Sequence, residues 1–249
     1  MYYFASDVHL GLEYGTETPA DRERFFIRWL DEVAPDAEAI FLVGDIFDFW
    51  FEYKRVVPKG HTRLLGKFSE LTDRGVRIHF FTGNHDKWAR EYLATECGVT
   101  MHHGPATLDL YGKRVFIAHG DTEGKRGGIL TRLMQYAFHA RWVRRAFSAL
   151  VHPNQAIRFG HWWSGQSRKR KSVRHGFRGM DEQQVGFALK YLAAGHDIDY
   201  FVFGHIHCAE ELALTDRSRI IFLGEWIERP TYAVMDPQTR RIALRAYPK

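Results

Sequence analysis

A chain of 249 residues, 45% apolar and 26% charged, carries enough hydrophobic content for one globular domain or one domain with an insertion, which excludes disordered and fibrous classes. The net charge of +5 is uneven: between Thr122 and Met180 thirteen Lys and Arg accompany the single acid Glu123, so that segment carries about +12 and the remainder about −7. No apolar run approaches the roughly 20 residues a bilayer span needs, and two cysteines are too few to staple a chain of this size, so a reducing, cytoplasmic setting is expected.

Tyr2 to Ser6 reads as a strand, with no basic flank and no cleavable apolar region before it. Arg22 to Val33 places Phe25, Phe26, Trp29, Leu30 and Val33 on one helical face, with Pro19 and Asp21 as start signals. Ala39 to Val43 is a wholly apolar strand, and Arg77 to Phe81 is another, after a helix that Gly75 ends. Val115 to Ala118 and Tyr200 to Phe203 repeat the pattern. Strand, helix, strand at this spacing predicts an α/β layered domain whose sheets are covered by helices. From Gly127 to Val151 a helical period returns, followed by His161-Trp162-Trp163 and the basic run Arg168 to Lys171. These features predict an inserted helical cap over about 122–180, basic and aromatic in character. An ordinary helix is expected from about Asp181 to Ala194. Arg219 to Leu223, Thr231 to Met235 and Arg241 to Tyr247 read as strands joined by turns, which predicts a second, more antiparallel sheet.

Almost every one of these strands ends in a polar cluster. The clusters are Asp7-Val8-His9, Gly44-Asp45-Ile46-Phe47-Asp48, Gly83-Asn84-His85-Asp86, Ala118-His119-Gly120-Asp121 and Gly204-His205-Ile206-His207. Ligands of layered α/β folds bind beyond the carboxyl ends of the strands, so groups 200 residues apart in sequence are expected in one cleft. A lone Asp-x-His is more often a turn with a surface histidine than a metal site. Together Asp, Asn and His without Cys form an oxygen and nitrogen donor set suited to Mn²⁺, Fe²⁺ or Zn²⁺, and they are numerous enough for two ions sharing a carboxylate at about 3.5–4 Å separation. Asp48 reads equally well as a helix or loop cap. Cys208 follows the last cluster and is expected to be an inert thiol.

Asp-x-His, Gly-Asp-x-x-Asp, Gly-Asn-His-Asp, His-Gly and Gly-His-x-His, in this order, resemble the calcineurin-like metallophosphoesterases over essentially the whole chain. The resemblance implies a β-sandwich flanked by helices in four layers, α/β/β/α, with the cap inserted. It also implies a division of ligands: Asp7, His9 and His207 for one ion, Asn84, His119 and His205 for the other, and Asp45 bridging. Ala5 to Leu10, Leu42 to Trp50, Leu110 to Val115 with Ala118 to Thr122, and Leu223 to Trp226 look like the UDP-2,3-diacylglucosamine pyrophosphatases of lipid A biosynthesis. Those enzymes use Mn²⁺ and release UMP and 2,3-diacylglucosamine 1-phosphate. The best-known branch has Arg after the Asn of the third cluster, where this chain has His85, the residue typical of the wider superfamily.

The expected catalytic residues are therefore Asn84, His85 and Asp86: the amide to orient a phosphoryl oxygen, the imidazole to stabilise or protonate the leaving oxygen, and Asp86 to orient that ring. The basic, aromatic cap suits an amphiphilic substrate and peripheral contact with the cytoplasmic face of the inner membrane. A nuclease of the same fold is the alternative reading, since rings and cations also suit a nucleic-acid strand. Neither nucleic acid nor an obligate protein partner is expected.

Overall fold

β1 (Tyr2–Ala5), β2 (Ala39–Val43) and β7 (Tyr200–Phe203) are buried at every position. A strand is apolar throughout only where both faces are covered, and period-two alternation then divides its side chains between two cores. The computed structural model, which describes residues 1–123, 150–158 and 177–249 together with Val143 and Gly160, shows this division directly. Tyr3, Ala5, Ile40 and Leu42 belong to one core, whereas Tyr2, Phe4, Ala39, Phe41 and Val43 belong to the next. In the same way Phe201 and Phe203 point away from Tyr200 and Val202. Most of the predicted cap at 122–180 lies outside the described residues.

Two sheets result. In spatial order the first holds β11 (Ile242–Ala246), β10 (Thr231–Met235), β1, β2, β3 (Arg77–Phe81) and β4 (Thr100–His102). β1 to β4 run parallel, and β10 and β11 add an antiparallel edge. The second sheet holds β5 (Ala106–Leu110), β6 (Lys113–Ala118), β7, β9 (Arg219–Leu223) and β8 (Ala209–Ala213), with β6, β7 and β9 parallel. Helices α1 (Pro19–Val33), α2 (Thr62–Asp73) and α3 (Tyr92–Cys97) cover the first sheet through Phe26, Trp29, Leu64, Phe68 and Leu93. Helix α4 (Gln183–Ala193) covers the second through Val185 and Ala188. Three cores therefore separate four layers, α/β/β/α, as the sequence predicts. Among the described residues no helix is long and apolar enough to cross a membrane.

Local chemistry explains where elements begin. α1 starts at Pro19, one of the two start signals, because Thr18 accepts the Asp21 N–H and the Asp21 carboxylate reaches back to Thr18, a capping box with proline in the first turn. The expected C-terminal sheet does not form. β9 joins the second sheet parallel to β7, while β10 and β11 extend the first. The reason lies in β10: Ala233 and Met235 face the inter-sheet core and Val234 faces the helices, a two-sided burial available beside β1.

A histidine pair sits at the β3–β4 edge. The His79 ring stacks on Phe41 with centroids 4.8 Å apart, and its Nδ1 lies 3.0 Å from His102 Nε2. Burial, helped by His102 and Arg77, pushes the His79 pKa from 6.5 down to about 4. The unfolded chain then binds more protons than the folded one between those two values, so stability falls as pH falls through that window. Urea midpoints measured from neutral pH to pH ~4 should decline, and the decline should be shallower in a His79→Phe variant.

Candidate metal centre

The parallel strands of both sheets deliver the next residues of the chain to one end of the sandwich. β1 leads to Asp7 and His9, β2 to Asp45, β3 to the turn at 83–86, β6 to His119, and β7 to His205 and His207. Hydrogen bonds then stitch these turns together. Asp7 N–H donates to Gly44 carbonyl at 3.1 Å, and His9 N–H to Asp45 carbonyl at 3.0 Å. Asp7 Oδ2 accepts Ser6 Oγ–H at 2.6 Å and His205 N–H at 2.8 Å, which ties the first sheet to the second.

At Gly44, Gly83 and Gly204 three of the turns approach others so closely that only glycine fits. A Cβ on Gly83 would stand 2.6 Å from Asp45 N and overlap Asp45 Oδ1. A Cβ on Gly204 would overlap Ser6 Oγ and stand 2.6 Å from Asp7 Oδ2. Gly204→Ala should therefore force apart the bond network that aims Asp7, at a cost of about 1–3 kcal/mol. Thermal denaturation and metal titration of this variant should show lower stability and weaker divalent-cation binding together.

The remaining donor atoms converge inward. Asp7 Oδ1 lies 3.2 Å from His207 Nε2 and 3.7 Å from His9 Nε2. Asp45 Oδ1 accepts His85 N–H at 2.8 Å, and its Oδ2 lies 3.3 Å from His119 Nε2, 3.9 Å from His85 Nε2 and 4.0 Å from His9 Nε2. The His119 Nδ1–H donates to Val43 carbonyl at 2.9 Å, which sets the tautomer and leaves the Nε2 lone pair facing Asp45. Asp7 Oδ1, His9 Nε2, Asp45 Oδ2 and His119 Nε2 are all buried and make no hydrogen bond. Buried polar atoms are ordinarily satisfied, so four such atoms aimed together fit divalent cations. Asp7, His9 and His207 form one group with ligand atoms within 4.8 Å of one another, and Asp45, His119 and His205 form a second.

The backbone bears a cost here as well. Seven described non-glycine residues have positive φ, and five of them are Asp7 (54°), His9 (51°), Asp45 (54°), His205 (70°) and His207 (57°). A left-handed backbone costs about 1–2 kcal/mol for an ordinary residue, less for Asp, and survives where surrounding bonds over-determine it.

Electrostatics follow from this crowding. Burial alone would raise the Asp7 carboxyl, but His207 and His9 outweigh it and hold the group well below the usual carboxylate range. Asp45, equally buried, is driven down by His119 and His85. The carboxylates act back on the rings: against the effect of burial, Asp48, Asp7 and Asp45 push His9 up to about 9, and Asp45 raises His119. Ionised carboxylates that draw protons onto neighbouring imidazoles are groups from which a divalent cation displaces those protons.

The structure brings Asp7, His9, Asp45, His85, His119, His205 and His207 to this one end of the fold. Asn84 stands at its exposed lip, between Gly83 and His85, whose N–H groups are both engaged. Asp86 differs from expectation: it does not orient the His85 ring. Its Oδ1 takes Gly83 N–H at 2.6 Å and its Oδ2 takes Ile46 N–H at 2.9 Å, so it fastens the β3 turn to the β2 turn, and burial with Asp45 nearby pushes it up to about 7. The His85 Nδ1–H donates instead to Asp48 carbonyl at 2.9 Å. Asp48, read in the sequence as a cap as readily as a functional group, is buried with Oδ1 3.5 Å from His9 Nδ1. Ser6, which holds Asp7, carried no signal in the sequence beyond its place at a strand end.

A four-layer sandwich whose two sheets jointly supply carboxylate and imidazole groups around a shared aspartate has the form of a metal-dependent phosphoesterase. The chain belongs to the calcineurin-like phosphoesterase family, whose sequence profile matches residues 2–209. A protein of Porphyromonas gingivalis named UDP-2,3-diacylglucosamine hydrolase is 39% identical over 249 aligned residues, 95% of this chain and 94% of that one. A protein of the same name from Aeromonas salmonicida is 30% identical, over 98% of this chain and 93% of the other. A solved dimetal phosphatase from Danio rerio aligns over 98% of this chain and 95% of its own at 13% identity, with a TM-score of 0.47.

Proposed function

We propose that this protein hydrolyses the pyrophosphate bond of UDP-2,3-diacylglucosamine to UMP and 2,3-diacylglucosamine 1-phosphate. The substrate rests on the near-full-length likeness to a hydrolase named for it. The chemistry rests on one observation, the position of Asp45 Oδ2 between the ligand groups of the two sheets. In this reading Asp7, His9 and His207 would hold one cation, Asn84, His119 and His205 would hold the other, and Asp45 would be shared. Bound divalent cations supply Lewis acidity toward phosphoryl oxygens and bring the pKa of water down to about 7. Mn²⁺ suits the oxygen and nitrogen donor set.

The protein's own groups do the rest. Asp48 carbonyl holds the His85 ring by its Nδ1–H and so aims Nε2 at the reacting groups; burial lowers the pKa of this ring, and it is the doubly protonated form that would donate from Nε2 to the oxygen on which charge develops as the anhydride breaks. The Asn84 amide orients a phosphoryl oxygen from the lip of the centre. Asp86 keeps both residues in register with Asp45 through the Gly83 and Ile46 N–H groups. The cap, at about 122–180, answers the anionic substrate with its thirteen cations and brings the single domain to the cytoplasmic face of the inner membrane. Product analysis with purified protein, Mn²⁺ and UDP-2,3-diacylglucosamine tests the reaction: UMP is expected, while UDP or no turnover would overturn it. Flotation with anionic vesicles tests the membrane contact, expected to weaken as salt rises.

A further inference from the structure

A cavity of about 710 Å³ opens beside the metal centre. Its floor includes Leu10 and Gly11, which directly follow His9, and Phe49, which directly follows Asp48. Asn154, Ile157 and Arg158 form its roof. Tyr53 Oη donates to Val151 carbonyl at 2.9 Å, and Gly160 lies so close to the Phe49 ring that a Cβ there would overlap it. Asn154 and Arg158 line the cavity from this roof, and Lys59 and Arg63 from the opposite wall.

The charge of this lining is one-sided. Glu23 is its one carboxylate, and Glu23 Oε1 is taken by the Leu64 N–H at 3.1 Å, at the start of α2. Lys59, Arg63 and Arg158 form no ion pair among the described residues, and residues 124–176 contain no Asp or Glu that could supply one. Three cations share one cavity, then, with a phenyl ring and a carboxamide.

We propose that this cavity holds the nucleoside monophosphate half of the substrate, an assignment that rests on the hydrolysis proposed above. Two arms leave the scissile anhydride: a nucleotide, and a sugar phosphate bearing two acyl chains. An acyl chain gains nothing from three cations and costs them their hydration. A nucleotide phosphate gains charge-assisted hydrogen bonds from Arg63 and Lys59. The Asn154 carboxamide offers one donor and one acceptor edge to the imide of uracil. The cavity begins one residue beyond His9 and Asp48, so a nucleotide seated there presents its phosphorus to the metal centre.

Arg63 and Lys59 are exposed, so Arg63→Ala and Lys59→Ala leave the core untouched. Calorimetry of UMP binding to the Mn²⁺-loaded protein should show each variant about three- to tenfold weaker than wild type. Product inhibition by UMP should weaken in parallel, while inhibition by 2,3-diacylglucosamine 1-phosphate stays unchanged. Unchanged UMP affinity in both variants would overturn the assignment, as would a loss confined to, or equal for, the lipid product. The reaction itself is tested separately. A wild-type protein that releases no UMP from UDP-2,3-diacylglucosamine refutes the hydrolysis, yet calorimetry still reads the cavity, because binding of UMP and its loss need no turnover.

Discussion

Asp45→Ala should lower kcat/KM by more than about 10³-fold and empty both cation positions together. The carboxylate does three things that no neighbour can replace. Its Oδ1 takes the His85 N–H at 2.8 Å and so fixes the turn that carries Asn84 and His85. Its Oδ2 lies within 4.0 Å of ring nitrogens from His9, His85 and His119, which come from three different strand ends. Its charge raises the His119 pKa against burial and, after Asp48 and Asp7, helps raise that of His9, so the position favours positive charge. Asp45→Asn keeps the shape and loses the charge. Metal analysis should therefore show both variants depleted, and full activity with full metal content in either would remove the shared-carboxylate reading.

His85→Ala should separate catalysis from metal holding. The His85 ring is within ligand distance of His9 and Asp45, so its position alone would also suit a ligand. Each of the two other groups is, however, complete without it. The expected result is a fall in kcat of about 10²–10⁴-fold with metal content close to wild type, as for loss of a general acid. Loss of a cation from this variant would make His85 a ligand instead. Asp48→Ala should follow the same direction with a smaller effect, since the backbone carbonyl that holds the ring remains.

Much of this was legible in the sequence because it is local. The bounds of β2 and β7 coincide with runs that are buried on both faces and uninterrupted by charged residues, and those of β3, β9 and β10 with mostly apolar runs that Arg77, Arg219 and Thr231 open. The polar clusters marked the strand ends for the same reason. What was not legible is non-local. Nothing around Thr231 to Met235 states that the strand pairs with Tyr2 to Phe4, more than two hundred residues away, so β10 was expected in the wrong sheet. Asp86 misled through adjacency: it neighbours His85 in the chain, yet its carboxylate turns to backbone N–H groups of the β2 turn. The left-handed backbones at five donor residues leave no trace in residue type beyond the tolerance of Asp for that conformation.

Neither of the two groups proposed to hold a cation lies within one sheet. Asp7, His9 and Asp45 extend from the first, whereas His119, His205 and His207 extend from the second, the last two encoded in the final fifth of the chain. A nascent polypeptide still emerging from the ribosome thus carries half a centre, and so does a proteolytic remnant that has shed β7.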